Sequence, residues 1–202
     1  MNLRTRREAI VGPAGQLECA IDEPMDAVRG VVVVCHPHPQ HGGTLDNKVV
    51  QTLARAFVQQ GWRSVRFNFR GIGSSQGTWD EGQGEIDDAM AVVHDRRDPE
   101  LPFALAGFSF GAYIASHVCA RLAETPPDRV VLVGPATQNF PVAPVPANTL
   151  VIHGEHDEVV PLQSTLDWAR PQALPVVVVP GVGHFFHGQL PLLKSLVLRW
   201  QP

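Results

Sequence analysis

The sequence predicts an α/β protein with a mostly parallel sheet, helices on both faces and no cap domain. Three observations carry that prediction. Short valine-rich runs recur along the chain, and each is apolar at consecutive positions, as in strands covered on both faces. Segments with helical spacing of apolar residues separate the runs, so strands and helices alternate. The interval 135–148 is too short for an inserted domain, and its four prolines, Pro135, Pro141, Pro144 and Pro146, disfavour helix.

The elements follow in order. Residues 4–11 and 16–21 flank Gly12-Pro13-Ala14-Gly15 and read as an antiparallel hairpin. Strands are expected at 31–35, 63–69, 103–107, 130–134, 150–153 and 176–180. A helix at 47–60 places Val50, Leu53 and Phe57 on one face and stops before Gly61. A second, at 85–95, does the same with Ile86, Met90 and Val93. A third, carrying Phe110, Ile114, Val118 and Leu122, runs to about Ala123, and a short one covers 162–169. The last, 192–200, has Pro191 near its first turn.

Composition narrows the function classes. A chain of 202 residues with 44% hydrophobic content suits one domain spanning 1–202. The net charge is −4, and basic residues form no patch with interleaved aromatics, so neither nucleic acid nor an anionic membrane is an expected partner. Cys19, Cys35 and Cys119 are an odd set without a C-x-x-C pair, which disfavours a disulfide framework and a structural zinc site and fits a reducing compartment. Arg4, Arg6 and Arg7 lie near the start, but no apolar stretch of signal-peptide length follows them. The valine runs are far too short to cross a membrane. A cytoplasmic protein, monomeric or homodimeric, is the expectation.

In parallel sheets reactive groups gather at the carboxyl ends of strands. Just past those ends stand His36 and His38, Asn68 and Arg70, Ser109, Asp157, and His184. Ser109 lies in Gly107-Phe108-Ser109-Phe110-Gly111, between an expected strand and an expected helix. A G-x-S-x-G in that context describes a nucleophile elbow, where a tight turn holds the serine hydroxyl out of the sheet. The bland alternative for Ser109 is a helix N-cap. A serine hydroxyl needs an adjacent base, and the base needs a carboxylate to hold its tautomer. The chain order for this elbow is serine, acid, histidine. The turn after 150–153 offers Glu155, Asp157 and Glu158. Gly181-Val182-Gly183-His184 lets a loop present His184, with His187 as its rival. The assignment is Ser109 as nucleophile and His184 as general base then acid, with an acid of the turn after 150–153, Asp157 in competition with Glu155 and Glu158, as the orienting carboxylate.

Acyl transfer also needs donors aimed at the developing oxyanion. One is expected from the N–H of Phe110, the residue after the nucleophile. The other is expected from the loop His36-Pro37-His38-Pro39-Gln40-His41-Gly42-Gly43-Thr44. Its prolines carry no N–H and stiffen it, and position relative to the strand end points to the His38 amide. A rival reading gathers His36, His38 and His41 with His153 and His184 around zinc, but no carboxylate or cysteine ligands join them, so no metal is expected. Packing and hydrogen bonding in a turn is the expectation for His36 and His41. The loop 68–75 lacks the third glycine and the lysine of a phosphate-binding loop, so Arg70 is expected to anchor it by hydrogen bonds.

These motifs together resemble the α/β-hydrolases, and in detail the small lidless bacterial serine hydrolases with an H-P-H-P-x-x-G-G-T loop. The likeness rests on 36–44 with Asn47-Lys48-Val49, on 69–75, on 107–111, on 153–161 and on Gly183-His184, so it spans essentially the whole chain. The resemblance implies eight strands with one antiparallel strand near the start, places the acid at Asp157, and implies esterase-type activity without a cofactor. Cys35 beside the oxyanion loop is a departure; the related dienelactone hydrolases carry a nucleophilic cysteine, but at the elbow. An uncapped site with Phe108, Trp79 and Phe140 as the expected acyl pocket suits small or short-chain esters, cleaved through an acyl-serine. The alternatives are a peptidase or amidase on the same triad, and a non-catalytic binding protein that kept the fold.

Overall fold

The structure, a computed structural model, describes residues 5–200. It begins with the hairpin β1 (Thr5–Gly12) and β2 (Gly15–Asp22). Arg4, where the first strand is expected to start, lies outside the described residues. There follow β3 (Gly30–Cys35), α1 (Lys48–Gln59), β4 (Trp62–Phe67), α2 (Gln83–Arg96), β5 (Phe103–Phe108) and α3 (Phe110–Arg121). The chain closes with β6 (Arg129–Val133), β7 (Thr149–Gly154), α4 (Leu162–Ala169), β8 (Val176–Val179) and α5 (Leu190–Arg199). Among the described residues no helix is long and apolar enough to cross a membrane.

Element types and order agree with the sequence reading; the ends differ for local reasons. Strand β4 stops at Phe67 because the Phe69 N–H is taken by the His36 ring, not by a neighbouring strand. Asn47 lies outside α1 as its cap, its side chain accepting from the Val49 and Val50 amides. Helix α2 starts earlier than expected, where Gly82 takes a left-handed φ of 94° and Glu85 accepts its N–H. Helix α5 starts at Leu190 with Pro191 in its first turn.

The eight strands lie in the order β1-β2-β4-β3-β5-β6-β7-β8. Strand β2 pairs antiparallel with both β1 and β4, and every other pair is parallel. Alternation along the central strands divides the core in two. Val31, Val33 and Cys35 with Phe103 and Leu105 pack against Ile86, Val92, Ile114 and Val118 of α2 and α3. Val32 and Val34 with Ala104, Ala106 and Phe108 pack against Val50, Leu53 and Phe57 of α1 and Leu193 and Val197 of α5. Both faces of the sheet are thus covered, and each fully buried Val, Leu or Phe contributes about 1.5–3 kcal/mol. From β3 the chain moves outward to β4, then returns across β3 to β5, so the strand order reverses there. The crevice outside the carboxyl ends of such strands is where open α/β sheets bind ligands. His36 leaves β3 and Ser109 leaves β5 at this point.

Candidate active site

The elbow is built by close backbone approach. A Cβ at Gly107 would lie 2.2 Å from the Gly111 carbonyl oxygen, and one at Gly111 would lie 2.2 Å from the Cys35 carbonyl oxygen. Only glycine lets α3 start this close to β5 and to the end of β3. Ser109 sits between them at φ 56°, ψ −117°, a strained conformation for a residue with a side chain. It precedes α3 at the cap position, yet its hydroxyl makes no cap bond. The hydroxyl faces the ring of His184 instead.

His184 Nε2 lies 3.0 Å from Ser109 Oγ, and His184 Nδ1 lies 2.7 Å from Asp157 Oδ2. All three residues are buried. With Asp157 ionised, Nδ1 carries the ring proton and donates to Oδ2, which leaves Nε2 as an acceptor for the serine proton. Burial pushes the Asp157 carboxyl up, but the bonds from His184 and from the Val160 and Val159 amides outweigh it and hold it below the usual carboxylate range. Gly134, after β6, turns the chain beside the pair with a left-handed φ of 49°, and a Cβ there would make ordinary contact, 3.4 Å from Asp157 Oδ2 and from the His184 ring.

The rival acids have other work. Glu155 accepts the Gly181 N–H at 2.8 Å and Glu158 accepts the His184 N–H at 3.3 Å, so both tie down the histidine loop. All three acids of the turn after β7 therefore bear on His184, Asp157 through its ring and the two glutamates through its loop. His187 is exposed and lies in the turn before α5, not at its start. His153, fully buried at the end of β7, enters the sequence reading only as a metal candidate. Its Nε2 donates to the Val160 carbonyl at 2.9 Å and lies 3.4 Å from Asp157 Oδ2, while burial holds its pKa below the usual histidine range. Its position inside an apolar strand, four residues before the acid, is the signal that spacing offers.

The loop after β3 is held by its histidine and a glycine. His36 Nε2 accepts the Phe69 N–H at 3.1 Å, so Nδ1 carries the proton and donates to the Pro37 carbonyl at 2.7 Å. A Cβ at Gly43 would lie 2.0 Å from that same oxygen. Among the described residues neither the His38 N–H nor the Phe110 N–H has a hydrogen-bond partner. Phe110 opens α3, so no helical carbonyl lies behind it to accept.

Full burial pushes the His36 pKa down to about 4. The folded state thus favours the neutral ring, and its stability contribution is complete above the unfolded value of about 6.5 and is lost as pH falls toward 4. Across that window the wild type is expected to lose about 3 kcal/mol that His36→Asn does not lose, measured by urea unfolding of both proteins. Equal losses in the two would count against a neutral, buried His36.

The three residues expected to form an acyl pocket are divided by the sheet. Phe108 is fully buried on the α1 and α5 side, beneath the His184 ring at 4.8 Å between centroids. Trp79 and Phe140 are half-buried on the other side. They meet Phe110 at 5.3 and 5.1 Å and the His38 ring at 4.7 and 5.8 Å. Tyr113, which the sequence reading misses, stacks on Phe140 at 5.0 Å. Its place one turn along α3 from Phe110 is the signal that could have found it. Arg70 anchors its loop through a two-pronged bond to the fully buried Asp88, at 2.8 and 3.0 Å.

Cys35, Cys119 and Cys19 are free and buried, and burial raises all three thiols, Cys19 and Cys119 to about 12. None of them has the exposed, depressed-pKa character of a nucleophilic thiol. Among the described residues no three His, Cys, Asp or Glu side chains are grouped to hold a metal ion.

Comparison with known proteins agrees with this architecture. An α/β serine hydrolase without a lid from Xanthomonas campestris superposes with a TM-score of 0.90 at 36% identity, covering 100% of this chain and 97% of that one. An α/β serine hydrolase homologue from Coxiella burnetii gives a TM-score of 0.86 at 40% identity, covering 96% of each chain. An uncharacterized protein of Rickettsia prowazekii is 31% identical over 191 residues, 87% of this chain and 79% of that protein. Residues 26–149 match the hydrolase family described as Serine aminopeptidase, S33, a stretch that includes the elbow and ends before Asp157 and His184. On its eight-stranded sheet, its elbow and that match over more than half its length, the chain belongs to the α/β-hydrolases, within the family so described.

Proposed function

We propose that this protein is a serine carboxylesterase that hydrolyses small or short-chain esters through an acyl-serine intermediate. The Ser109–His184–Asp157 chain of hydrogen bonds, at 3.0 and 2.7 Å, is the observation that carries the reading. Ser109 Oγ attacks the ester carbonyl carbon while its proton passes to His184 Nε2. The carbonyl oxygen becomes the oxyanion and is received by the Phe110 and His38 amides. Collapse expels the alcohol, which takes the proton from His184. Water then attacks the acyl-serine with His184 again as base, releasing the carboxylic acid. Asp157 holds the ring tautomer throughout.

The absence of an inserted domain between β6 and β7 and the wall of Trp79, Phe110 and Phe140 support a small apolar acyl group in an open site. The free thiols support a cytoplasmic setting. The family's description as a serine aminopeptidase favours a second reading, amide cleavage on the same groups. A series of p-nitrophenyl esters from acetate to palmitate, run beside aminoacyl p-nitroanilides, tests both. Acetate and butyrate are expected to exceed palmitate in kcat/KM by about tenfold or more, with the anilides slower still. A preference for long chains overturns the substrate class, and anilides matching the best ester make the protein an amidase.

A further inference from the structure

We propose that His36 is the positioning residue of the oxyanion hole: its side chain sets the orientation of the peptide plane between Pro37 and His38. This rests on the esterase reading above. In a trans peptide the C=O and the following N–H point in opposite directions from one plane. The peptide in question is trans, and its carbonyl is the Pro37 oxygen that His36 Nδ1–H grips at 2.7 Å. Its N–H belongs to His38, an amide without a hydrogen-bond partner among the described residues, whose ring packs 5.2 Å from that of Phe110, the residue after Ser109. Holding the oxygen therefore aims the N–H.

The grip is itself over-determined. The Phe69 N–H, 3.1 Å from His36 Nε2, forbids the other tautomer, because a proton on Nε2 would face another donor. The ring is fully buried and packs on Phe69 with 4.5 Å between centroids, so it has no room to turn. Gly43 closes the far side of the same carbonyl, where a Cβ would come within 2.0 Å of the oxygen. Pro37 and Pro39 on either side of His38 restrict the backbone further. Because both nitrogens of the His36 ring are engaged by backbone groups, its effect falls on the tetrahedral state through the His38 amide.

Two near-isosteres separate the two bonds. In His36→Asn the amide nitrogen stands where Nδ1 stood and keeps a donor for the Pro37 carbonyl, while the Phe69 N–H loses its acceptor. In His36→Gln the amide oxygen stands where Nε2 stood and keeps that acceptor, while the Pro37 carbonyl is released. Each variant loses one buried hydrogen bond, so a purely structural role predicts similar losses in both. The proposal predicts that on p-nitrophenyl acetate His36→Gln lowers kcat by about 10²-fold with KM nearly unchanged, and that His36→Asn stays within about tenfold of wild type. Melting temperatures confirm that both are folded. If either fails to fold, Gly43→Ala, which displaces the same carbonyl with His36 intact, is expected to show the same kcat-specific loss. Equal kcat values for the Asn and Gln variants overturn the proposal while wild-type turnover leaves the esterase reading standing. A wild type that is silent toward both the ester and a fluorophosphonate overturns that reading and the proposal with it.

Discussion

Ser109→Ala is expected to lower kcat on p-nitrophenyl acetate by about 10⁴-fold or more, and His184→Ala by a comparable factor, with the fold retained in both. The magnitude follows from what each group does. Without the hydroxyl no acyl-enzyme forms. Without the ring the hydroxyl proton loses its acceptor, His184 Nε2 at 3.0 Å. The losses are expected to overlap in the double variant rather than multiply, because the two groups act as one unit. Folding survives because Ser109→Ala deletes one oxygen that caps nothing, and because the elbow is set by Gly107 and Gly111 against backbone. Labelling by a fluorophosphonate is expected for the wild type and absent in Ser109→Ala. Turnover by either variant above about one per cent of wild type would rule its residue out as nucleophile or base.

Asp157→Asn is expected to cost about 10⁴-fold in kcat, although it changes a single atom. The reason lies in the two amides on the far oxygen. Val160 N–H and Val159 N–H donate to Asp157 Oδ1 at 2.7 and 3.0 Å, so an asparagine there must present its carbonyl oxygen to them. Its NH₂ then faces His184 Nδ1, which must offer a lone pair and pass its proton to Nε2. A protonated Nε2 points a hydrogen at Ser109 and cannot act as base. Steady-state rates with thermal melts settle the matter: a stable Asp157→Asn protein with more than about a tenth of wild-type kcat would show that the tautomer is held by something else.

The legibility of the site in the bare chain differs from residue to residue. The apolar runs of β3, β5 and β6 are legible because consecutive apolar residues suit a strand covered on both faces, and a strand's two-residue period then sorts them onto the two sides. The elbow is legible because its requirement is local: glycine on either side of Ser109 within one turn. The choice of Asp157 over Glu155 and Glu158 comes from resemblance alone, since three acids in one turn look alike until the Val159 and Val160 amides single one out. Phe108 and Phe110 flank the same serine and are equally aromatic. Their separation onto opposite sides of the sheet depends on where the strand ends and the helix begins. His36 reads as a packed turn histidine, and it is one, but its bond to Phe69 spans 33 residues and leaves no trace in spacing.

The order of residues along the chain was enough to establish an alternating α/β architecture and to send His36, Ser109, Asp157 and His184 to one edge of the sheet, because hydrophobic period is a property of neighbours. Which nitrogen meets which oxygen was settled by folding. Ser109 and His184 are 75 residues apart and His184 and Asp157 are 27 apart, yet proton transfer requires each pair to close to about 3 Å. That closure comes from the ends of three strands and from Glu155 and Glu158 holding a loop, and no local pattern contains it.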